Sequence, residues 1–503
     1  MKTTNPVIRG STRPSLFGVY CLFILCILSN GLQAQIQQAW VARYNNGITN
    51  GTNQAVKMAL DPAGNIYITG FSQNSNTNLG YVTIKYAPTG TQLWTARYDS
   101  TNYSSATPAA LALDSSNNVF ITGNGLTIKY ALNGNQLWTA PYAGTALAVD
   151  SNGNCVVTGI STTFGTVKLN PGGSNVWLGT YPSCGPGIGQ QVVVAPDNSI
   201  YVAGSYTYQC YENYEYREPL VIKYGANGTQ IWTTNYEVAE AIVQVAAIAL
   251  DTQTNLYVEL GQCVPSAKPY WTFKIANNGS VTWIQGDPTG DSFSQAYGLA
   301  LDNLANVIVT GKNAFNYPST SYGTYKVNTN GVYVWTNLYP KVVVGSNVAA
   351  SIAIDSANNC YVTGYSPGTN SGNDIVTIKY DNNGNQIWVQ RYNGPGNGND
   401  VGNAIAVDNN GNVYVTGYSA NASGGTDIVT IKYSPLSLQR RADGTVLLQA
   451  QGSPGESFDI QASADLQSWL DLGSVMADTN GLMQFDDTNA SNYNARFYLT
   501  SPQ

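Results

Sequence analysis

The feature that most constrains the fold is an internal repeat that runs from residue 38 to residue 433. Its clearest copy contains three short runs, Ala404–Asp408, Asn412–Gly417 and Ile428–Tyr433, and the preceding copy adds a fourth, Gly384–Tyr392. Runs rich in Val, Ile, Thr and Tyr that are separated by Gly, Asn and Asp are typical of β-strands joined by tight turns. The repeat therefore predicts an all-β domain whose units hold four strands, which we call A to D.

Two landmark residues count the units. A Lys in strand C occurs eight times, and a Trp in strand D follows the first seven of these lysines at a spacing of nine residues. The lysines are Lys85, Lys129, Lys168, Lys223, Lys274, Lys326, Lys379 and Lys432, and the tryptophans are Trp94, Trp138, Trp177, Trp232, Trp283, Trp335 and Trp388.

The missing eighth Trp lies at the other end of the chain. No Trp follows Lys432, but Gln38–Tyr44 contains Trp40 and matches the strand-D segment Gln92–Tyr98. An N-terminal strand that completes a last unit holding only strands A, B and C closes a ring, and closure removes the exposed sheet edge. We therefore predict an eight-bladed β-propeller of four-stranded blades over residues 38–433.

The repeat also resembles a known family. The motif Asp408–Gly417 is similar to the bacterial β-propeller repeat called SBBP, a name that stands for seven blades although eight units are counted here. The weakest units are the fourth, with Ala195 in place of the Asp, and the fifth, with Leu260 in place of the Gly. The resemblance covers residues 38–433 of 503 and implies an exported or surface location without a defined activity.

Two segments flank the repeat. Residues 1–34 begin with basic side chains, continue with the apolar run Leu16–Leu28 and end in a plausible cleavage site, which predicts a signal peptide and a secreted or cell-surface chain. That run of 13 residues is too short to span a bilayer, and no later stretch predicts a membrane span. After a predicted linker at residues 434–440, alternating runs over residues 441–503 predict a small C-terminal β-sandwich-like module.

Composition excludes several functions. The chain has no His, which rules out Ser-His-Asp and Cys-His catalysis and every His-ligated metal site. The formal charge is −7 for the whole chain and −10 without the three basic residues of the first 34, so nothing in it attracts nucleic acid. We predict no catalytic residues, no cofactor, no metal and no nucleic-acid partner.

The side chains that recur in every unit favour a structural interpretation. An Asp that ends strand A before a tight turn caps the turn amides. Strands A and C run in the same direction, so the Lys lies near that Asp, and the Trp begins strand D at the same end of the blade. We interpret this network as an Asp–Lys clamp beside a Trp face, helped by cation–π attraction, rather than as a calcium or ligand site. Its clearest members are Asp61, Lys85, Trp94, Asp355, Lys379, Trp388, Asp408, Lys432 and Trp40.

The Trp ring also resembles the tryptophan-docking repeats of quinoprotein dehydrogenases. Asp381–Gly384 is one residue shorter than that motif, and the adjacent cysteine pair of those enzymes is absent. A bound quinone is therefore not predicted, and we interpret the Trp ring as blade packing.

Spacing separates the two faces of the ring. The A–B and C–D turns keep their lengths and share one face, which we call the constant face. The B–C and D–A connections share the other face. We call it the variable face, because the distance from the end of strand A to the Lys changes from 15 residues (Asp114 to Lys129) to 28 (Ala195 to Lys223). Loops that bind partners tolerate insertions, so the variable face is the predicted binding surface.

The longest variable segment, residues 206–218, holds five Tyr and three Glu and is expected to be a loop. Its tyrosines suit a protein or polysaccharide partner. The alternative is that this loop only covers the ring. The candidate ligand-binding residues are Tyr208, Tyr211, Glu212, Tyr214, Glu215 and Tyr216, with Tyr270 and Trp271 in the next blade. Cys155 and Cys360 fit core positions. Cys184 with Cys210 is the favoured disulfide, and Cys210 with Cys263 is the alternative.

Three functional hypotheses follow. The first is a non-catalytic binding or scaffold propeller for an extracellular protein or polysaccharide, acting through the variable face. The second is a carbohydrate-active enzyme, which needs paired carboxylates; Glu212, Glu215 and Glu218 are crowded into one loop. The third is a purely structural envelope component. The oligomeric state stays open.

Overall fold

The computed structural model describes residues 36–502 except for 101–104, 161–163, 183–184, 212–213, 237–241, 265–270, 287–293, 317–318, 340–344, 453, 466–467, 480 and 494–495. Within the described residues the chain is built from β-strands and one short 3-10 helix, Ala490–Asn492, so the all-β prediction is confirmed. Across these same ranges, no helix has the length and apolar character that crossing a membrane requires.

Eight four-stranded antiparallel sheets account for the strands between Ile36 and Pro435. We call each sheet a blade and number the blades by the order of their strand A. Strand β1 (Ile36–Tyr44) belongs to blade eight.

Blades one to four contain the following strands. Blade one holds β2 (Asn53–Leu60), β3 (Ile66–Gln73), β4 (Leu79–Tyr86) and β5 (Gln92–Tyr98), and blade two holds β6 (Pro108–Leu113), β7 (Val119–Gly123), β8 (Thr127–Tyr130) and β9 (Gln136–Ala140). Blade three holds β10 (Ala146–Val149), β11 (Cys155–Thr158), β12 (Gly165–Leu169) and β13 (Asn175–Thr180), and blade four holds β14 (Ile188–Val194), β15 (Ile200–Tyr211), β16 (Tyr214–Tyr224) and β17 (Gln230–Asn235).

Blades five to eight complete the series. Blade five holds β18 (Ile242–Leu250), β19 (Leu256–Val264), β20 (Trp271–Ile275) and β21 (Val281–Gly286), and blade six holds β22 (Gln295–Leu301), β23 (Val307–Asn316), β24 (Ser319–Val327) and β25 (Tyr333–Tyr339). Blade seven holds β26 (Val348–Ile354), β27 (Cys360–Pro367), β28 (Asn373–Tyr380) and β29 (Gln386–Tyr392), and blade eight holds β30 (Asp400–Val407), β31 (Val413–Ala420) and β32 (Thr426–Pro435) with β1.

The blades follow one another around an axis. In blades one to seven the strand order is the chain order, whereas in blade eight β1 pairs with β32 and places Trp40 opposite Lys432. Each strand A contacts strand A of the next blade, and β30 of blade eight contacts β2 of blade one. Aliphatic side chains from facing sheets fill the space between blades, as Ile66, Ile84 and Ile428 do between blades eight and one. This is the architecture of a β-propeller.

Two three-stranded sheets follow the last blade. The first has the order β33 (Ser437–Arg440), β34 (Val446–Gln451), β37 (Leu482–Asp487), and the second has the order β36 (Leu470–Met476), β35 (Ser457–Ser463), β38 (Phe497–Pro502). They share a core that includes Leu448, Phe458 and Met483. We call this unit the C-terminal module.

The segment 434–440 differs from the expected linker. Strand β32 runs to Pro435 and β33 begins at Ser437, so only Leu436 lies between them. The side chain of Leu436 is buried in the core of the C-terminal module, which leaves no free connection. Strand β38 also contacts β1, and the Thr500 hydroxyl donates a hydrogen bond to the Gln37 side-chain oxygen.

Candidate functional site

The tyrosine-rich segment is a hairpin rather than the loop expected from the sequence. Strands β15 and β16 stay paired as far as Tyr211 opposite Tyr214. Tyr alternates with other residues on both strands, and this period of two is the signal of a strand. Since β15 has 12 residues and β11 of blade three has 4, the hairpin extends roughly 25 Å further along the strand direction.

The base of this hairpin is fixed by a buried carboxylate. The side chain of Glu218 is 5% exposed, and its Oε2 accepts hydrogen bonds from the Tyr206 hydroxyl (3.3 Å) and the Asn235 amide (3.0 Å). Burial, with the negative charge of Glu218, raises the pKa of Tyr206 to about 12, so the phenol stays protonated and donates at neutral pH. Glu218 therefore anchors the hairpin and is not presented to a ligand.

The other candidate residues are placed only in part. Tyr208, Cys210, Tyr211, Tyr214, Glu215 and Tyr216 lie on the paired strands, with Cys210 opposite Glu215 and Gln209 opposite Tyr216. Trp271 begins β20 and packs against the core shared by blades four and five. Glu212, Tyr270 and Cys184 lie outside the described residues.

The cysteines fall into two groups. Cys155 and Cys360 are buried free thiols, and burial raises the pKa of both. They occupy the first position of strand B in their blades, where Val, Ile or Leu stands in the others. The proposed pairing of Cys184 with Cys210, and its alternative with Cys263, involves positions whose side chains are outside the description.

The variable face is uneven because strand B differs in length between blades. Its extra residues pair with strand C in blades four and six and with strand A in blade five. Strand B has 12, 9 and 10 residues in blades four, five and six, but 5 and 4 in blades two and three. Blades four to six therefore form a raised wall beside a low sector. We call this wall the hairpin wall.

On the same face, blades seven, eight and one carry an arginine network that the sequence reasoning missed. Arg391 contacts Asp374 at 2.8 Å and Arg43 contacts Asp427 at 2.9 Å, and each arginine also bonds a strand-B serine. Both arginines stand three residues after the strand-D Trp, as Arg97 does in blade one, so the recurring Trp-x-x-Arg spacing was the available signal. These bonds tie strand D to the B–C connection in this sector.

On the constant face, the recurring Asp caps the A–B turn. In blade one, Asp61 Oδ1 accepts the amide protons of Ala63 (3.0 Å) and Asn65 (2.9 Å), and Oδ2 accepts the Asn65 side-chain amide (2.7 Å). The same bonds form around Asp355 and Asp408. The carboxylate oxygens of these Asp residues therefore accept hydrogen bonds from the groups of the turn.

The predicted Asp–Lys ion pair forms in blades two, three and six, and the aromatic partner of the Lys is not the expected Trp. In blades one, seven and eight the described residues show no such ion pair, and the strand-B Tyr hydroxyl donates to the Asp instead. Lys168 is 2.8 Å from Asp150 and Lys326 is 2.7 Å from Asp302, both as buried ion pairs. In the six other blades the ring beneath the ammonium is the strand-B Tyr or Phe, because strand B lies beside strand C at this level. The distances to the ring centroid are 4.7 Å for Lys85 over Tyr67, 5.0 Å for Lys379 over Tyr361 and 5.6 Å for Lys432 over Tyr414.

The Trp instead joins neighbouring blades. Trp94 Nε1 donates to the Leu132 carbonyl in the C–D turn of the next blade (2.9 Å), and Trp40 does so to Pro88 (3.1 Å). Seven of the eight indoles lie against a turn Gly, and a Cβ on Gly134 would be 2.7 Å from the Trp94 ring. Trp388 faces blade eight, which has no C–D turn because the chain continues from β32 into the C-terminal module. Trp388 packs beside Tyr433 instead.

A large cleft lies on the constant face, away from the predicted binding face. It has a volume of about 960 Å³ and opens between the C-terminal module and the A–B turns of blades one and eight. Leu60 and Val407 line it on the ring side, and Gln449 and Leu482 line it on the module side. No cluster of three or more His, Cys, Asp or Glu that could hold a metal occurs within the described ranges.

Comparison with known proteins defines the class. The SBBP family, described as Beta-propeller repeat, matches residues 387–424, which end blade seven and begin blade eight. An uncharacterized WD repeat-containing protein of Acanthamoeba polyphaga mimivirus is 25% identical over 455 residues, which is 75% of this chain and 30% of that protein. The chain thus spans less than a third of the curated relative it matches. The repeat match and the four-stranded sheets together define a β-propeller repeat protein.

The solved structures that this chain matches are distant in sequence. A protein of unknown function from Dyadobacter fermentans is 10% identical, with a TM-score of 0.43 over 80% of this chain and 99% of that chain. The WD40 domain of Pan2 from Neurospora crassa is 11% identical, with a TM-score of 0.40 over 65% of this chain and 89% of that chain.

Proposed function

We propose that this chain is an exported, closed eight-bladed β-propeller that acts as a non-catalytic binding module through its variable face. The observation that carries the proposal is the hairpin wall of blades four to six. The turns of the constant face are engaged by Asp caps and docked tryptophans, whereas the hairpins extend beyond the blades. Export rests on the predicted signal peptide at residues 1–34, which places the partner outside the cell.

The pairing of the hairpin favours a protein partner. Strand A pairs with β15 only as far as Ser205, and strand D pairs with β16 only from Leu220 onward. Above these residues β15 and β16 pair with each other, and no third strand joins them within the described residues. A two-stranded hairpin with free edges can accept an extended peptide as an added strand, and Tyr side chains supply contact area.

The structure offers little to the enzyme hypothesis. Glycoside hydrolysis needs two carboxyl groups facing one bond at a set separation. Of the three Glu in the segment, Glu218 is buried and bonded to Tyr206 and Asn235. No observation on the described residues favours the enzyme or the purely structural role over binding.

The test is a parallel screen of peptide and glycan arrays with residues 35–503. The test variant changes Tyr208, Tyr211, Tyr214 and Tyr216 to Ser. The matched control changes Leu93, Leu137 and Ile231 to Ser, since these are exposed on the outer strands at 50%, 53% and 56%. Loss of a peptide signal in the test variant alone supports the proposal, and a glycan signal lost in the same way would change the partner class. Equal binding by all three proteins would refute recognition by the hairpin wall.

A further inference from the structure

The inner surface of the ring carries one uncompensated charge. The eight A strands, β2, β6, β10, β14, β18, β22, β26 and β30, contain two charged residues within their described bounds, Lys57 and Asp400. Asp400 is fully buried at the start of β30, where it accepts the amide protons of Gly394 (2.7 Å) and Ala420 (3.1 Å). Lys57 is left as the single cation of these strands.

The position of Lys57 directs its exposed surface to the axis of the ring. Strand β2 pairs with β3 on its outer side and contacts the A strands β6 and β30 on its flanks, so the axis is its free side. Lys57 is nevertheless exposed. The blades around it restrict its hydration and so lower its pKa, although solvent still reaches the side chain. No ion pair or hydrogen bond of its ammonium is found in the described part of the chain. An ammonium without a counter-ion is stabilised by any anion that reaches it.

The residues at the same level leave room beside this cation. Lys57 stands four residues before the Asp that ends strand A, and the corresponding residues of the other blades are neutral and mostly small. They are Ala110, Ala146, Gln191, Ala247, Gly298, Ser351 and Ala404. The ring also has an alanine two residues before that Asp in seven blades. Small side chains at these two levels occupy little space around the axis.

Toward the constant face, the same surface becomes apolar. The last residue of strand A is aliphatic in every blade and is half-buried, which leaves part of it facing the axis. These residues are Leu60, Leu113, Val149, Val194, Leu250, Leu301, Ile354 and Val407. Leu60 and Val407 also line the 960 Å³ cleft beneath the C-terminal module, so this cleft adjoins the apolar ring. Three residues separate Lys57 from Leu60, a distance of about 10 Å along the strand.

We propose that the central channel binds an organic carboxylate with an apolar chain, its carboxylate on the Lys57 ammonium and its chain directed past Leu60 toward the cleft. A cation in an aliphatic channel selects this chemistry, because a small hydrophilic anion gains nothing from the aliphatic ring and a neutral chain leaves the ammonium unpaired. The site is separate from the variable face and does not depend on the proposed function.

The probe is octanoate, titrated calorimetrically into residues 35–503, with acetate and octanol as the charge-only and chain-only controls. We expect one octanoate per chain, weaker binding of both controls, and a loss of roughly tenfold or more in octanoate affinity in Lys57→Met. Lys57→Arg keeps the charge and is expected to retain affinity within a few-fold. Affinity in the wild type falls as pH rises through the lowered pKa of Lys57, whereas in Lys57→Arg it does not, since guanidinium stays charged.

Three results would overturn the proposal: no octanoate binding by the wild type, octanol or acetate binding as tightly as octanoate, or unchanged octanoate affinity in Lys57→Met. Because Lys57→Met removes an unpaired cation, its thermal midpoint should be equal to or above that of the wild type, which serves as the folding control. If that variant fails to fold, Lys57→Gln and the comparison of the three probes on the wild type decide the question.

Discussion

The docking of each tryptophan on the next blade can be tested by adding one methyl group. Gly134 lies in the C–D turn of blade two with a φ of +87°, and a Cβ built on it would be 2.7 Å from Trp94 Cδ2. Gly47 provides the matched control, because its φ is +77° and a Cβ there meets nothing within 4 Å. Gly134→Ala and Gly47→Ala therefore share the backbone cost and differ in the contact.

The expected loss of stability is the sum of two contributions, the strain of the left-handed backbone and the contact with the indole. Placing an L-residue in the left-handed region costs about 1–2 kcal/mol, and the lower entropy of the unfolded chain offsets about 0.4–1 kcal/mol of this. Gly47→Ala should thus cost about 1 kcal/mol. In Gly134→Ala the indole must also move from 2.7 Å toward ordinary contact, which weakens its bond to the Leu132 carbonyl and its packing on Tyr67. Overpacking of this kind adds about 1–3 kcal/mol.

The assay is urea unfolding followed by tryptophan fluorescence and circular dichroism on residues 35–503. We expect the midpoint of Gly134→Ala to fall clearly below that of Gly47→Ala, with fluorescence and circular dichroism changing together. If the two variants lose the same stability, the indole does not rest on the turn as argued, and the repeated Gly reflects only its positive φ.

Three further predictions concern the recurring ion pairs and the ring closure. Lys326→Met should lower the free energy of unfolding by about 3–5 kcal/mol, because it leaves Asp302 buried without its 2.7 Å partner. Lys379→Met loses a ring contact and should lower it by less. Equal effects of the two variants in urea unfolding would contradict this ranking. Burial acts to raise the pKa of Asp302, but hydrogen bonds from Lys326 and Asn306 leave this pKa lowered. The stability that ionised Asp302 contributes is therefore present above the unfolded pKa near 3.8 and is lost as pH falls through the folded pKa. Stability below about pH 4 should thus fall more steeply with pH in the wild type than in Lys326→Met. Removing residues 35–44 deletes β1 and should prevent folding. Restoration of the circular dichroism spectrum by an added peptide of residues 35–44 would show that β1 closes blade eight. A truncated chain that folds fully on its own would argue against this.

Much of the fold could be predicted because the repeat encodes the same local chemistry in each unit. The strand pattern, the Asp before the turn and the N-terminal match to strand D follow from residues close together in sequence. The partners of the Lys and the Trp could not be predicted in the same way. The ring beneath Lys85 is fixed by the pairing of strands B and C, and the carbonyl that accepts from Trp94 belongs to another blade.

The candidate site was less predictable for a related reason. The period-two pattern of tyrosines in residues 206–216 carried the hairpin signal, but its length and turn-like composition favoured a loop. The 960 Å³ cleft could not be found from sequence, since it depends on where the C-terminal module rests against blades one and eight. Such placement is set by a few contacts between distant residues, for example Gln37 with Thr500.

Specific function in such a molecule is best sought where a blade departs from the repeat. A residue present in every blade is explained by what every blade needs, as the Asp caps and docked tryptophans show. Departures have no such explanation. In blade five, Glu259 replaces the Thr that pairs with a strand-C Thr in blades two, three, six, seven and eight, and it is fully buried with the Thr272 hydroxyl donating to it at 2.6 Å. Lys57 replaces a neutral residue, and the hairpin of blade four replaces a short turn. Each costs desolvation or chain entropy that the other blades avoid, and a binding role would account for that cost.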